Sequence, residues 1–147
     1  MDRLFLDANV LFSAAYREGS GLLQLWKLSD VQLVTSVYAL EEARRNLDTE
    51  ERKARLNDLM QEVTVLLELR EQDLPPGVDL AEKDKPILAA VLAAGASHLI
   101  TGDRQHFGRY FGERVRQTLI MTPRDYLTSR ECKPHIVQSK VSVVALG

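Results

Sequence analysis

The 147-residue chain is the size of one domain, which buries about 70% of the surface its unfolded chain exposes, so a full core can form without disulfide or metal staples. Its single cysteine, Cys132, excludes an internal disulfide and reads as a packing residue, and no apolar run approaches the roughly 18 residues of a membrane span. A net charge of -2 with 19 basic residues gives no overall attraction for a polyanion, so nucleic-acid binding would have to rest on a local basic patch or on metal ions.

Met1-Asp2-Arg3 leads into a short apolar run broken by Asp7 rather than into a secretory signal, and we expect a soluble, cytoplasmic protein with no membrane segment. Leu4-Phe5-Leu6 reads as a strand ending at Asp7, followed by a helix over 8–15 whose Val10, Leu11, Ala14 and Ala15 have helical spacing. After Gly19-Ser20-Gly21, the residues Leu22, Leu25, Trp26 and Ser29 predict a second amphipathic helix, and Val31 to Thr35 a strand. Ser36 is a good N-cap for a helix reaching about Leu47, and Thr49 for a long charged helix carrying Leu56, Leu59, Met60 and Val63. The stretch 63–67 reads equally as a strand. Leu74-Pro75-Pro76-Gly77 is a connector, too short to divide domains.

From Asp84 to Ala94 a nearly all-apolar helix is expected, stopped by Gly95. His98 to Thr101 forms a strand ending at Gly102-Asp103, a Gly- and Arg-containing loop follows, then a strand near Thr118 to Met121 and a helix after Pro123. Strands alternating with helices define an α/β fold with a mostly parallel sheet covered on both faces. One domain is expected over 1–130, with residues 131–147 as a C-terminal extension in which Val141 to Val144 suggest an added edge strand.

Ligand sites in open parallel sheets lie beyond the carboxyl ends of the strands. Asp7 and Asp103 follow two such ends, and Glu42 and Asp84 sit early in helices reaching the same edge, so four acids from distant positions can converge. Gathered carboxylates repel one another unless protons or cations neutralise them, and an oxygen-only ligand set favours Mg²⁺ or Mn²⁺.

Four segments carry a family resemblance: Leu6-Asp7-Ala8-Asn9-Val10, Ser36-Val37-Tyr38-Ala39-Leu40-Glu41-Glu42-Ala43, Asp84-Lys85-Pro86-Ile87-Leu88-Ala89-Ala90 and Thr101-Gly102-Asp103-Arg104-Gln105-His106-Phe107. In order and spacing the chain resembles the PIN-domain nucleases over about residues 4 to 128, especially the toxin-type, VapC-like members. The resemblance implies a three-layer sandwich and a ribonuclease that hydrolyses single-stranded RNA to 5′-phosphate and 3′-hydroxyl products. It also implies Mg²⁺ or Mn²⁺ dependence, a cognate antitoxin protein that blocks the acidic cleft, and a homodimer, for which Leu22, Leu25 and Trp26 are candidate contacts. Residue by residue, it makes Asp7, Glu42, Asp84 and Asp103 the catalytic metal ligands, with Asn9 and Thr101 as supporting polar groups. Glu41 competes with Glu42 for the second position: it lies closer to the apolar face of Val37, Leu40 and Leu47, whereas the gap from Ser36 favours Glu42.

Each acid alone has an ordinary explanation in a helix dipole, a solvated face or a turn, and only the four together make a site. Arg104, His106 and Arg109 are candidates for RNA phosphate contact, though a solvated Arg or a packed His accounts for them as well. Arg44, Arg45, Arg52, Lys53 and Arg55 read as a charged helix face with i,i+4 pairs, and Trp26, Tyr38 and Tyr110 as core or interface residues. Two other functions compete: a non-catalytic scaffold of the same fold binding RNA or a protein, and an aspartyl-nucleophile phosphatase. The second calls for an Asp two places after Asp7, where this chain has Asn9.

Overall fold

The computed structural model describes residues 1–66 and 74–130. Strands β1 (Asp2–Leu6), β2 (Val31–Ser36), β3 (Thr64–Leu66), β4 (His98–Ile100), β5 (Arg114–Val115) and β6 (Thr118–Met121) form one sheet in the order β3-β2-β1-β4-β6-β5. All neighbours are parallel except the β5-β6 hairpin. The sheet is flanked by helices, the expected α/β architecture. Its central strand carries Leu4, Phe5 and Leu6 in succession, all fully buried, as an unbroken apolar run must be when both faces of a parallel sheet are covered. At roughly 1.5–3 kcal/mol per fully buried side chain, these three positions together contribute about 5–9 kcal/mol of apolar burial.

Helices α1 (Ala8–Tyr16), α2 (Val37–Asn46) and α3 (Glu50–Met60) are capped as their sequences require: Asp7 accepts from the Ala8 N–H, Ser36 from Ala39 and Thr49 from Arg52. The charged face of α3 carries the i,i+4 pairs Asp48-Arg52 and Glu51-Arg55, and both arginines also donate to the Tyr16 carbonyl that ends α1. Helix α4 (Lys85–Ala93) ends in a Schellman turn, with Gly95 N–H on the Leu92 carbonyl and Ala96 N–H on Val91. Gly95 has φ +64°, which a side chain would strain.

Three local readings change. Gly21–Lys27 is a 3₁₀ helix rather than an α-helix, because burying Leu22 and Leu25 needs only an i,i+3 repeat over a short span started by Ser20. Leu25 fills the core, Leu22 packs against it and the Trp26 indole donates to the Leu59 carbonyl at 3.0 Å, so all three candidate dimer contacts serve the monomer. Trp26→Phe is expected to lower stability by about 1 kcal/mol through loss of that bond; an unchanged urea midpoint would refute it. The loop after Asp103 is ordered into α5 (Arg104–Phe107), a 3₁₀ turn over Gly108–Tyr110 and the hairpin. A helix occupies 123–130. Leu67, Cys132 and the edge strand expected within 131–147 lie outside the described residues. Among the described residues, no helix is long and apolar enough to cross a membrane.

Candidate active site

The chain builds β1, β2 and β3 outward on one side and then returns to place β4 against the other side of β1, so the strand order reverses between β1 and β4. Beyond their carboxyl ends lies the crevice such a reversal opens. Asp7 is the first residue after β1 and its N–H donates to the Ile100 carbonyl, which holds the two strand ends together.

A cleft of about 510 Å³ at this point is bordered by Asp7, Glu42, Asp84 and Asp103. All four acids are thus brought to one place. Asp84 is the last residue of a 3₁₀ turn, Glu82–Asp84, at the entry to α4, and Asp103 caps α5. Glu42 lies midway along α2 and borders the cleft; Glu41, exposed on the same helix, does not.

Asn9 and Thr101 build the floor. Asp7 is only 5% exposed; its Oδ1 accepts from the Ala8 N–H at 2.7 Å, and its Oδ2 from the Thr101 hydroxyl at 2.8 Å and the Asn9 amide at 3.1 Å. Asn9 Oδ1 accepts from the Gly102 N–H at 2.8 Å, and the Thr101 oxygen accepts from the Asp103 N–H at 3.1 Å. One network therefore fixes the ends of β1 and β4 and two of the acids.

Electrostatics separates the four. Burial pushes the Asp7 carboxyl from 3.8 up to about 6; the Thr101 and Ala8 bonds pull it back in part, and the charges of Glu42 and Asp103 push it further. Asp84 is also raised, by burial first and by Asp103, with His106 and Lys83 opposing. Asp103 is held below the ordinary carboxylate value, because the hydrogen bonds and charge of His106 outweigh its burial. Asp84 Oδ2 is buried with no hydrogen-bond partner, a costly condition for a carboxylate oxygen.

Of the candidate phosphate contacts, His106 is turned inward: its Nδ1 lies 2.7 Å from Asp103 Oδ2 and 3.7 Å from Asp84 Oδ2. One donor atom from each of Asp84, Asp103 and His106 lies within 4.8 Å of the others, the spacing of a cation's ligands. Arg109 pairs with exposed Asp79, while Arg104 is exposed. Lys83, Asn46 and Ser13 also border the cleft and were not singled out by the sequence reading. Asn46 had a signal: it stands four residues after Glu42, on the same helix face. Lys83 had only its place beside Asp84.

An acidic crevice at the strand-order reversal of a mostly parallel sheet marks this as an α/β protein with a candidate cation site at its switch point. Residues 3–105 match the family model described as the PIN domain, and the chain belongs to that family. Solved structures with a similar fold include VapBC2 from Rickettsia felis bound to a DNA fragment from their promoter, at 14% identity and TM-score 0.55, covering 82% of this chain and 98% of that one. VapBC-1 from nontypeable Haemophilus influenzae matches at 17% identity and TM-score 0.55, with the same coverage. FitAB bound to an IR36 DNA fragment matches at 16% identity and TM-score 0.50, covering 82% of this chain and 94% of that one. At these identities the likeness is one of fold. No match was found among curated proteins.

Proposed function

We propose that this chain is a divalent-metal-dependent endoribonuclease of the toxin type, cleaving single-stranded RNA in the cytoplasm and restrained by a cognate antitoxin. The observation that carries the reading is the convergence of Asp7, Glu42, Asp84 and Asp103 on one cleft, with a buried Asp84 oxygen that no protein group satisfies. A cation fits that oxygen and the carboxylates around it, and the oxygen-rich set suits Mg²⁺ or Mn²⁺. The four acids would hold it, as catalytic ligands. The family membership supports nuclease chemistry, and the VapBC and FitAB assemblies of like fold support a protein partner. Residues 1–130 form the nuclease domain, 131–147 an extension, and a homodimer is the assembly we propose.

When bound, the metal supplies Lewis-acid stabilisation of phosphoryl charge and eases deprotonation of an attacking water. The chain's own residues prepare for it. Asn9 and Thr101 lock the Asp7 carboxylate in one rotamer, and the short bond from His106 fixes Asp103. At neutral pH Asp7 is mostly ionised, since its value of about 6 lies below 7. The charge of Lys83 partly offsets the surplus of carboxylates where a phosphodiester must approach.

Incubation of purified protein with single-stranded RNA and Mg²⁺ or Mn²⁺ is expected to give 5′-phosphate and 3′-hydroxyl products, and a chelator to stop the reaction; RNA left intact would overturn the reading in favour of a non-catalytic scaffold. The phosphatase alternative is disfavoured because Asn9, where its second Asp would stand, is committed to Asp7 and Gly102. Glu42→Gln is expected to reduce cleavage by about a hundredfold or more, and Glu41→Gln by less than about twofold. The reverse order of effects would move the second acid to Glu41.

A further inference from the structure

The acid cleft adjoins two further depressions along the outward face of α1. Asn9, Phe12, Ser13 and Tyr16 share that face through spacings of three and four, and Ser13 borders all three depressions. The middle one, about 640 Å³, is bordered by Arg104 and Arg124, and the far one, about 680 Å³, by Arg17, Arg124 and the Phe12-Tyr16 ring pair.

Arg17, Arg104 and Arg124 have no side-chain hydrogen bond or ion pair among the described residues, whereas Arg52, Arg55, Arg109 and Arg130 are each held by carbonyls or carboxylates. Among the described residues, Asp125 is the one acid bordering the two outer depressions, against Arg17, Arg104 and Arg124, so the described lining there carries an excess of positive charge. The inner cleft has the opposite sign, and a polyanion entering it meets four carboxylates within about a Debye length. Cations beside the cleft offset that repulsion without displacing the metal ligands.

We propose that this arginine-lined track binds the backbone of a single-stranded polynucleotide and leads it to the acid cleft, a role that rests on the nuclease reading above. Arginine forks match phosphate oxygens, and the half-buried Phe12 ring, which borders both the acid cleft and the far depression, offers stacking surface that only unpaired bases can use, whereas one face of Tyr16 is already covered by the Arg52 guanidinium at 3.8 Å. From Asn9 to Arg17 the helix face runs about 12 Å, so a dinucleotide in the cleft does not reach the far arginine and a longer strand does.

The test is binding of a labelled twelve-nucleotide single-stranded RNA, followed by fluorescence anisotropy in chelator over a series of salt concentrations. The variant Arg17→Gln/Arg104→Gln/Arg124→Gln is compared with the charge-matched Lys27→Gln/Arg45→Gln/Lys53→Gln, whose residues border none of the three depressions. Loss of about tenfold or more in affinity is expected for the first, with a salt slope shallower by about 2, at roughly 0.7 per phosphate contact, and less than about twofold change for the second. Melting curves establish that both variants fold. Equal losses in the two variants, equally tight duplex RNA, or equal competition by a polyglutamate peptide would each overturn the proposal, the last marking the track as a docking surface for an acidic protein. Wild type that binds in this pattern but leaves RNA uncut with metal keeps the track and rejects the nuclease; cleavage by wild type with unimpaired binding by the first variant does the reverse.

Discussion

Asp7→Asn is expected to end metal-dependent RNA cleavage, by roughly a thousandfold or more, while making the metal-free protein more stable. The amide keeps the shape of the side chain but removes the charge that would hold a cation. Stability follows from linkage: the folded-state value of about 6 lies above the ordinary 3.8, so the folded chain binds this proton more tightly than the unfolded chain does. The associated stability is fully present below about pH 4 and is lost as pH rises to about 6. The full gap corresponds to about 3 kcal/mol at neutral pH. The amide recovers less, about 1–2 kcal/mol, because its NH₂ must stand where an oxygen now accepts, either from the Ala8 N–H or from the Thr101 hydroxyl and the Asn9 amide. Urea unfolding in chelator across pH 4 to 7.5 checks it. The stability difference between variant and wild type should widen with pH up to about 6 and then level; parallel profiles, or undiminished cleavage, would refute the account.

Thr101→Val is expected to cost about 2 kcal/mol of stability and 10- to 100-fold in metal affinity. Thr101 is fully buried; it donates to Asp7 and accepts from Asn9 and from the Asp103 N–H. Valine preserves the volume and removes every one of those bonds. The Asp7 carboxylate then loses the hydrogen bond that most opposes its raised pKa, so metal binding should weaken most near pH 6, where protons compete. Calorimetric titration with Mn²⁺ at pH 6 and 8 reads this effect. A variant as stable as wild type with unchanged metal affinity would show that the network is incidental to the site.

Where a local rule acts alone, the sequence was readable. Ser36 and Thr49 cap the helices expected of them, Gly95 stops α4, and the apolar Leu4-Phe5-Leu6 run lies at the centre of the sheet. The Arg114-Val115/Thr118-Leu119 hairpin was not readable, because its turn uses Arg116 at φ +56° instead of the Asn-Gly or Asp-Gly pair that advertises such a turn. The 3₁₀ helix over Gly21–Lys27 was misread because Leu22, Leu25 and Trp26 satisfy either helical period.

The sequence by itself marked the four acids that border the cleft, their order and the strand ends on which Asp7 and Asp103 stand, since these follow from local patterning and from where parallel strands finish. Tertiary structure decided the rest of the site. The choice of Glu42 over Glu41 as the cleft acid depends on how α2 is rotated against its neighbours. The inward turn of His106 depends on where Asp84 and Asp103 meet, and the raised value of Asp7 on how completely α1 and β4 exclude water from it. A carboxylate's identity is written in the chain, but its protonation and its partners are set by dielectric and distance, which exist only once segments far apart in sequence have packed.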